Sequence, residues 1–164
     1  MRSEAEANRA IDLYADTVRR ICMVHLTSYA DTEDKFQSVF LKYVLSSVCF
    51  ENDVHEKAWF IRVTVNACKD LIKRFFRSRT VPFDEALPLA AELPEEHSDV
   101  LKAVLALPEK YRDAVYLHYY EGYSAVELGK LLNKNTNTVY TLLSRAKQML
   151  SVALGGEELG SSRA

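Results

Sequence analysis

An acidic segment near the middle of the chain limits the possible folds more than any other feature of the sequence. Residues 81–97 read VPFDEALPLAAELPEEH, with five acidic side chains, no lysine or arginine, and three of the four prolines of the 164-residue chain. A proline-punctuated run of one charge sign between periodic segments is typical of a linker. We therefore expect two small domains, residues 1–80 and 98–154, with a flexible tail at residues 155–164.

The formal net charge of −2 conceals an uneven distribution. Residues 1–80 carry a net charge of +2, residues 81–97 a net charge of −5, and residues 98–164 a net charge of +1. The near-neutral total therefore does not exclude nucleic acid as a partner, because local basic surfaces can exist beside an acidic linker.

Several function classes lack sequence support. No stretch approaches 18 consecutive apolar residues, and the first ten residues lack the apolar core of a secretory signal. The three cysteines, Cys22, Cys49 and Cys68, are widely spaced, and neither a zinc motif nor a glycine-rich phosphate loop occurs. We expect a cytoplasmic protein without membrane insertion, cofactor, metal or catalytic residues.

Apolar residues at helical spacing predict three helices in the first domain. The first spans about residues 8–28, and the second follows an N-cap at Asp31. A loop covers residues 46–53, and the third helix runs from about His55 to Arg77. The inward positions of the first two helices are Ile11, Tyr14, Ala15, Val18, Cys22, His25 and Leu26, followed by Phe36, Val39, Phe40, Tyr43 and Val44.

The third helix carries two stripes. One is apolar (Ile61, Val65, Cys68, Ile72, Phe75 and Phe76), and the other is polar and mostly basic (Arg62, Asn66, Lys69, Lys73 and Arg77). Such a helix packs through one face and presents the other to a negative partner. A merely solvated face has the same pattern, so charge alone leaves both interpretations open.

The second domain has the spacing of a helix-turn-helix. A short helix follows Ser98, and a second spans about residues 108–120 and ends at Gly122. Ser124 and Glu127 form a capping box for the third helix, Asn133 suits a left-handed turn, and Asn135 caps the last helix. Leu128, Leu131 and Leu132 point inward, as do Val139, Leu143, Ala146 and Leu150. The fold class is therefore all-α.

The outer face of the last helix can form hydrogen bonds with DNA. Its polar positions are Asn137, Tyr140, Thr141, Ser144, Arg145 and Gln148. A plain four-helix domain without a DNA-binding role has the same helix spacing, so the spacing alone does not decide the function.

Three ordered blocks resemble the extracytoplasmic-function (ECF) group of bacterial RNA polymerase sigma factors. The resemblance covers about residues 8–154. The blocks are DTEDKFQSVFL at 31–41, HEKAWFIRVTVN at 55–66 with CKD at 68–70, and the set LPEKYR at 107–112, YEGYS at 120–124 and TVYTLLSRAK at 138–147.

The resemblance implies that residues 1–80 bind core RNA polymerase and the minus-ten promoter element. The implied polymerase contacts are Asp34, Gln37, Phe40 and Leu41. The implied DNA contacts are Trp59, Arg62, Asn66, Lys69, Lys73, Arg74 and Arg77. Asn66 and the loop from Ser46 to Glu56 would hold a flipped base of the melted strand. Trp59 would support that pocket or wedge at the melting junction, and its alternative interpretation is core packing.

The resemblance also implies that the second domain binds the minus-thirty-five element through Asn137, Tyr140, Thr141, Ser144, Arg145 and Lys147. An anti-sigma factor is the implied regulatory partner, and a stress or envelope signal the implied input. The sequence departs from the family pattern at Ser38, which replaces a carboxylate. It also departs at Tyr140 and Leu142, which replace basic residues and predict weaker phosphate contacts.

The leading hypothesis is therefore a sigma factor that directs core polymerase to a promoter. The competing hypothesis is a free-standing helix-turn-helix regulator, whose first domain dimerises or senses a signal. The competing hypothesis explains the second domain but not the combination of Trp59, Asn66 and the basic stripe.

Overall fold

Two helical units make up the part of the chain that the computed structural model describes, residues 1–26, 28–78 and 98–155. The division between the units falls between Leu89 and Ala90, inside the predicted linker. The linker at 81–97 and nearly all of the tail at 155–164 lie outside the described residues. The all-α prediction is confirmed, and no helix of the described ranges is long and apolar enough to cross a membrane.

The first unit contains three helices, α1 (Glu4–His25), α2 (Tyr29–Leu45) and α3 (Asp53–Ser78). α1 starts four residues earlier than expected because Ser3 and Glu6 form a capping box that the periodicity did not indicate. Ile11 was predicted to point inward, but it is 39% exposed. Tyr14, Val18 and the other predicted core positions of α1 are buried or packed against the core.

The N-cap of α2 is Ser28 and not Asp31. The Ser28 hydroxyl accepts a hydrogen bond from the Asp31 amide at 3.4 Å, so the helix begins at Tyr29. The prediction of Asp31 as the cap was wrong by one turn, because a serine and an aspartate three residues apart both satisfy the N-cap pattern. Asp31 instead lies in the first turn, where its charge favours the helix dipole.

The second unit contains α4 (Ser98–Ala106), α5 (Glu109–Val115), α6 (Ala125–Leu132) and α7 (Thr136–Ala153). A π-helical turn over Tyr116–Tyr120 extends α5. The predicted boundaries are confirmed: Gly122 has φ 78°, Ser124 and Glu127 form the capping box, and Asn133 is left-handed at φ 54°. The inward positions of α6 and α7 form the core, with Leu132 only partly buried.

Candidate nucleic-acid interface

One side of α3 carries the residues predicted to read the minus-ten element. Trp59, Arg62, Asn66 and Lys69 follow one another at spacings of three and four residues, which places them along one face of the helix. Arg62 and Asn66 are exposed, whereas Trp59 and Lys69 are half-buried. The distance from Trp59 to Asn66 along the axis is about 10 Å, two helical turns.

The basic continuation of this face lies on the last turns of α3. Lys73, Arg74 and Arg77 belong to the helix, but their side chains lie outside the described part of the structure. Their predicted phosphate contacts remain a prediction from sequence.

Trp59 packs within an aromatic cluster at the start of this face. Its ring lies 5.9 Å from the rings of Tyr43 and Phe50 and 5.2 Å from that of Phe60, in edge-on arrangements. The half-buried indole therefore contributes to core packing while part of it remains accessible. This arrangement agrees with both the packing interpretation and a supporting role for Trp59 beside a base pocket.

The loop over residues 46–52 joins α2 to α3 beside Trp59. Phe50 anchors it, stacking on Tyr43 at 6.3 Å and contacting Trp59. At the loop's end, the Asn52 side chain accepts a hydrogen bond from the amide of His55 at 2.9 Å. This cap lets α3 begin at Asp53, two residues before the predicted start. The loop therefore adjoins the Trp59 end of the face, and Asn66 lies two turns further along the helix.

A buried carboxylate in the first turn of α3 connects the three helices of the unit. Glu56 is only 4% exposed. It accepts hydrogen bonds from the Tyr43 hydroxyl of α2 at 2.7 Å and from the Tyr14 hydroxyl of α1 at 2.9 Å. It also forms an ion pair with Arg9 of α1 at 2.9 Å, and Arg9 reaches Asp53 at 2.6 Å. We call Glu56, Tyr14, Tyr43 and Arg9 the Glu56 network.

The Glu56 network shifts the pKa values of its members. Burial alone would raise the pKa of Glu56, but the hydrogen bonds from Tyr43, Arg9 and Tyr14 outweigh it and hold that pKa below 4.5. Burial and the hydrogen bond to Glu56 raise the pKa of Tyr43 to about 12. The carboxylate is therefore ionised at neutral pH, and both tyrosines remain neutral donors.

Sequence reasoning missed the Glu56 network. The residues come from three helices, and sequence periodicity indicates only that Tyr14 and Tyr43 point inward. The one available signal was Glu56 in the first turn of α3, and acidic residues at that position are too common to indicate a buried ion pair.

The outer face of α2 presents three of the four predicted polymerase contacts. Asp34, Gln37 and Leu41 are exposed at spacings of three and four residues, and Leu41 is 59% exposed. Phe40, the fourth predicted contact, is buried, and its contact with polymerase stays a prediction. Phe40 is 7% exposed and packs against the rings of Phe36 and Phe60, at 4.8 and 5.1 Å, so it supports the helix from the core side.

The helix-turn-helix of the second unit depends on a close backbone approach. The amide of Lys134 donates to the Gly129 carbonyl at 2.8 Å. A Cβ atom at Gly129 would lie 2.7 Å from the Lys134 carbonyl oxygen, closer than a carbon and an oxygen can pack. Asn135 then caps α7 by accepting from the Asn137 amide at 2.9 Å. Gly129 therefore permits the tight turn, a requirement that the sequence pattern did not indicate.

The outward face of α7 carries the predicted minus-thirty-five residues. Asn137, Tyr140, Thr141, Ser144 and Arg145 are exposed, and Lys147 is half-buried. The Thr141 hydroxyl donates to the Asn137 carbonyl at 3.0 Å and retains acceptor capacity.

The two departures on α7 occupy different environments. Leu142 is buried, so replacement of a basic residue there adds to the core of the unit. Tyr140 is 58% exposed, so only the departure at Tyr140 changes the outward face.

Neither unit offers a metal site among the residues that the structure describes. No group of three histidine, cysteine, aspartate or glutamate side chains within these ranges could hold an ion.

Each of the two units matches the model of a known protein family. The model of "Sigma-70 region 2" matches residues 10–79, and that of "Sigma-70, region 4" matches residues 97–150. The chain is also 25% identical to the ECF RNA polymerase sigma factor SigW of Bacillus subtilis, over 85% of this chain and 84% of the relative. It is 26% identical to the ECF sigma factor SigM of Mycobacterium tuberculosis, over 84% of this chain and 71% of that protein.

A solved structure has the same fold. It is the sigma factor RpoE of Bartonella quintana, crystallised with the anti-sigma factor NepR. The superposition has a TM-score of 0.74 at 20% identity and covers 92% of this chain and 98% of the other.

Proposed function

Because the chain belongs to the sigma-70 family as an ECF sigma factor, which recognises promoters for RNA polymerase, we propose that its two units divide promoter reading between them. The observation that carries this proposal is that each family region coincides with one unit and that each unit exposes a polar helix face. The predicted domain limits, 1–80 and 98–154, follow the same division.

The first unit reads the minus-ten element. The exposed Arg62 and Asn66 beside Trp59 and the 46–52 loop offer a surface that suits a single strand with one extruded base. Asn66 supplies an amide that can pair with a base edge, and Arg62 and Lys69 neutralise phosphates. Lys73, Arg74 and Arg77 extend this contact along the DNA.

The second unit reads the minus-thirty-five element through α7. Asn137, Tyr140, Thr141, Ser144 and Arg145 reach the major groove, and Lys147 contacts the backbone. Because Tyr140 stands where a basic residue is usual, this contact contributes less electrostatic affinity, and its salt dependence is weaker.

The exposed face of α2 docks on core polymerase. Asp34 and Gln37 provide polar contacts, and Leu41 provides the apolar contact that its exposure makes available. Ser38 does not replace the carboxylate missing from this face, so the docking depends more on apolar contact than in typical relatives.

An anti-sigma factor regulates the chain in response to a stress or envelope signal. Support comes from the RpoE structure of similar fold, which was crystallised with the anti-sigma factor NepR. Sigma factors are transcription initiation factors, and the proposed role needs no catalytic residue or cofactor. The protein acts in the cytoplasm, where polymerase and chromosome meet.

The test is transcription by a reconstituted holoenzyme. Start sites that appear when the protein is overproduced in its host identify candidate promoters, and these are then transcribed in run-off assays with purified core polymerase. We expect transcripts that require the protein and that are lost when either promoter element is scrambled. A free-standing helix-turn-helix regulator would instead bind duplex DNA without polymerase and give no transcript, and that result would refute the proposal.

A further inference from the structure

Arg2 makes several polar contacts and also contacts aromatic rings. We propose that Arg2 is a positioning residue for minus-ten recognition, because it fixes the 46–52 loop against the end of α2. The inference rests on the proposed function, in which this loop and α3 read the minus-ten element.

Arg2 satisfies carbonyl groups at the C-terminus of α2. Its amide donates to the Val44 carbonyl at 2.8 Å, and its Nε donates to the Tyr43 carbonyl at 3.1 Å. The last carbonyls of a helix have no partner within that helix and carry partial negative charge. A guanidinium at this point therefore stabilises the end of α2, from which the loop departs.

The same guanidinium holds the loop itself. Its Nη2 donates to the Val48 carbonyl. Its Cζ atom lies 4.4 Å from the ring centre of Tyr43 and 5.2 Å from that of Phe50. Only arginine has several donors in one plane together with a flat cationic surface for two rings. Glu6 of α1 also forms an ion pair with Arg2 at 3.7 Å.

Besides Arg2, local hydrogen bonds and the Phe50 ring, which stacks on Tyr43 at 6.3 Å, hold the loop. The other hydrogen bonds of its first half are local, from the Ser46 amide to the Tyr43 carbonyl, from the Val48 amide to the Ser46 hydroxyl and from the Cys49 thiol to the Ser47 carbonyl. Phe50 then links the loop to Trp59 at 5.9 Å. A change at Arg2 therefore shifts the loop and, through Phe50, the Trp59 end of the reading face. Of the buried core it touches Tyr43, which keeps its contacts with Phe60 and Glu56.

The experiment compares holoenzymes that contain wild-type protein, Arg2→Ala, Arg2→Lys or the control Arg20→Ala. Arg20 is an exposed arginine of α1. Run-off transcription is measured on a promoter identified as above and on its single-base variants in each element. 2-Aminopurine in the non-template strand of the minus-ten element reports base extrusion.

We expect Arg2→Ala to reduce minus-ten discrimination and the 2-aminopurine signal roughly tenfold, because a charged hydrogen bond changes an equilibrium by about that factor. Arg2→Lys should lose most of the same discrimination, since one ammonium cannot bridge both carbonyls and both rings. Discrimination at the minus-thirty-five element, affinity for core polymerase and the far-UV circular dichroism spectrum should match Arg20→Ala.

Wild-type discrimination by Arg2→Ala would overturn the inference and leave the proposed function standing. A variant that loses discrimination and at the same time loses core binding and the native far-UV circular dichroism spectrum would also overturn it, because Arg2 would then act on folding alone. If the wild-type holoenzyme itself ignores the minus-ten sequence, the proposed function fails, and the inference fails with it.

Discussion

Glu56→Gln should destabilise the first unit far more than removal of a surface charge. The substitution keeps the size of the side chain but removes the charge that two buried tyrosine hydroxyls and Arg9 share. A hydrogen bond to a charged group contributes about 1.5–3 kcal/mol, against about 1 kcal/mol for a neutral one. Weakening the Tyr14 and Tyr43 bonds accordingly lowers the free energy of unfolding by about 2 kcal/mol.

The pH dependence identifies the carboxylate as the cause. The pKa of Glu56 is lower in the folded chain than its ordinary value of 4.5, so ionised Glu56 stabilises the fold at pH values above that value. This contribution disappears as the pH falls through the folded pKa. The difference in stability between wild type and Glu56→Gln should therefore be constant from about pH 6 to 8 and shrink below about pH 4.5.

Urea unfolding followed by tryptophan fluorescence measures this difference. Trp59 is the only tryptophan of the chain and lies 5.9 Å from Tyr43, so its signal reports on the first unit. The control is Glu33→Gln, which removes an exposed pair with Arg19 at 3.4 Å and should cost about 0.2–1 kcal/mol. Equal losses for the two variants, or a difference that persists unchanged at pH 4, would refute the argument.

Three further predictions concern the DNA-reading surfaces and the turn between α6 and α7. Gly129→Ala should destabilise the second unit by about 1–3 kcal/mol, since its Cβ forces the Lys134 carbonyl away; thermal unfolding by circular dichroism measures this, with the exposed Lys130→Ala as control. Asn66→Ala should reduce discrimination at the minus-ten element by about 1–3 kcal/mol in run-off assays and leave core binding unchanged, whereas equal loss of core binding would make Asn66 structural. Arg145→Ala should weaken holoenzyme binding to a minus-thirty-five duplex by about 1–3 kcal/mol in anisotropy titrations, and unchanged affinity would remove it from the interface.

Local signals in the sequence predicted most helix ends of the second unit, but neither the π-helical turn nor the requirement for Gly129. The capping box at Ser124, the left-handed Asn133 and the cap at Asn135 each depend on residues within one turn of each other, and the structure has all three. Caps of this kind can be predicted from the sequence because the residues that form them are neighbours in the chain.

Long-range contacts explain what the sequence did not predict. Arg2 contacts residues more than 40 positions away, and Glu56 is a similar distance from Tyr14. Periodicity predicts that Tyr14 and Phe40 point inward, but not which polar group a buried hydroxyl will meet. The resemblance implies that Phe40 contacts polymerase, whereas periodicity predicts an inward Phe40, and its side chain is 7% exposed.

The Glu56 network has a consequence for chimeric proteins. Each of the three helices contributes at least one member, so replacing α1 or α2 alone with the segment of a relative lacking the matching tyrosine removes a hydrogen-bond donor from the buried Glu56 carboxylate. Exchange of promoter preference between relatives should therefore tolerate grafting of α1 to α3 as one block. A single-helix graft would need to keep the member that its own helix contributes: Tyr14 in α1, Tyr43 in α2 or Glu56 in α3.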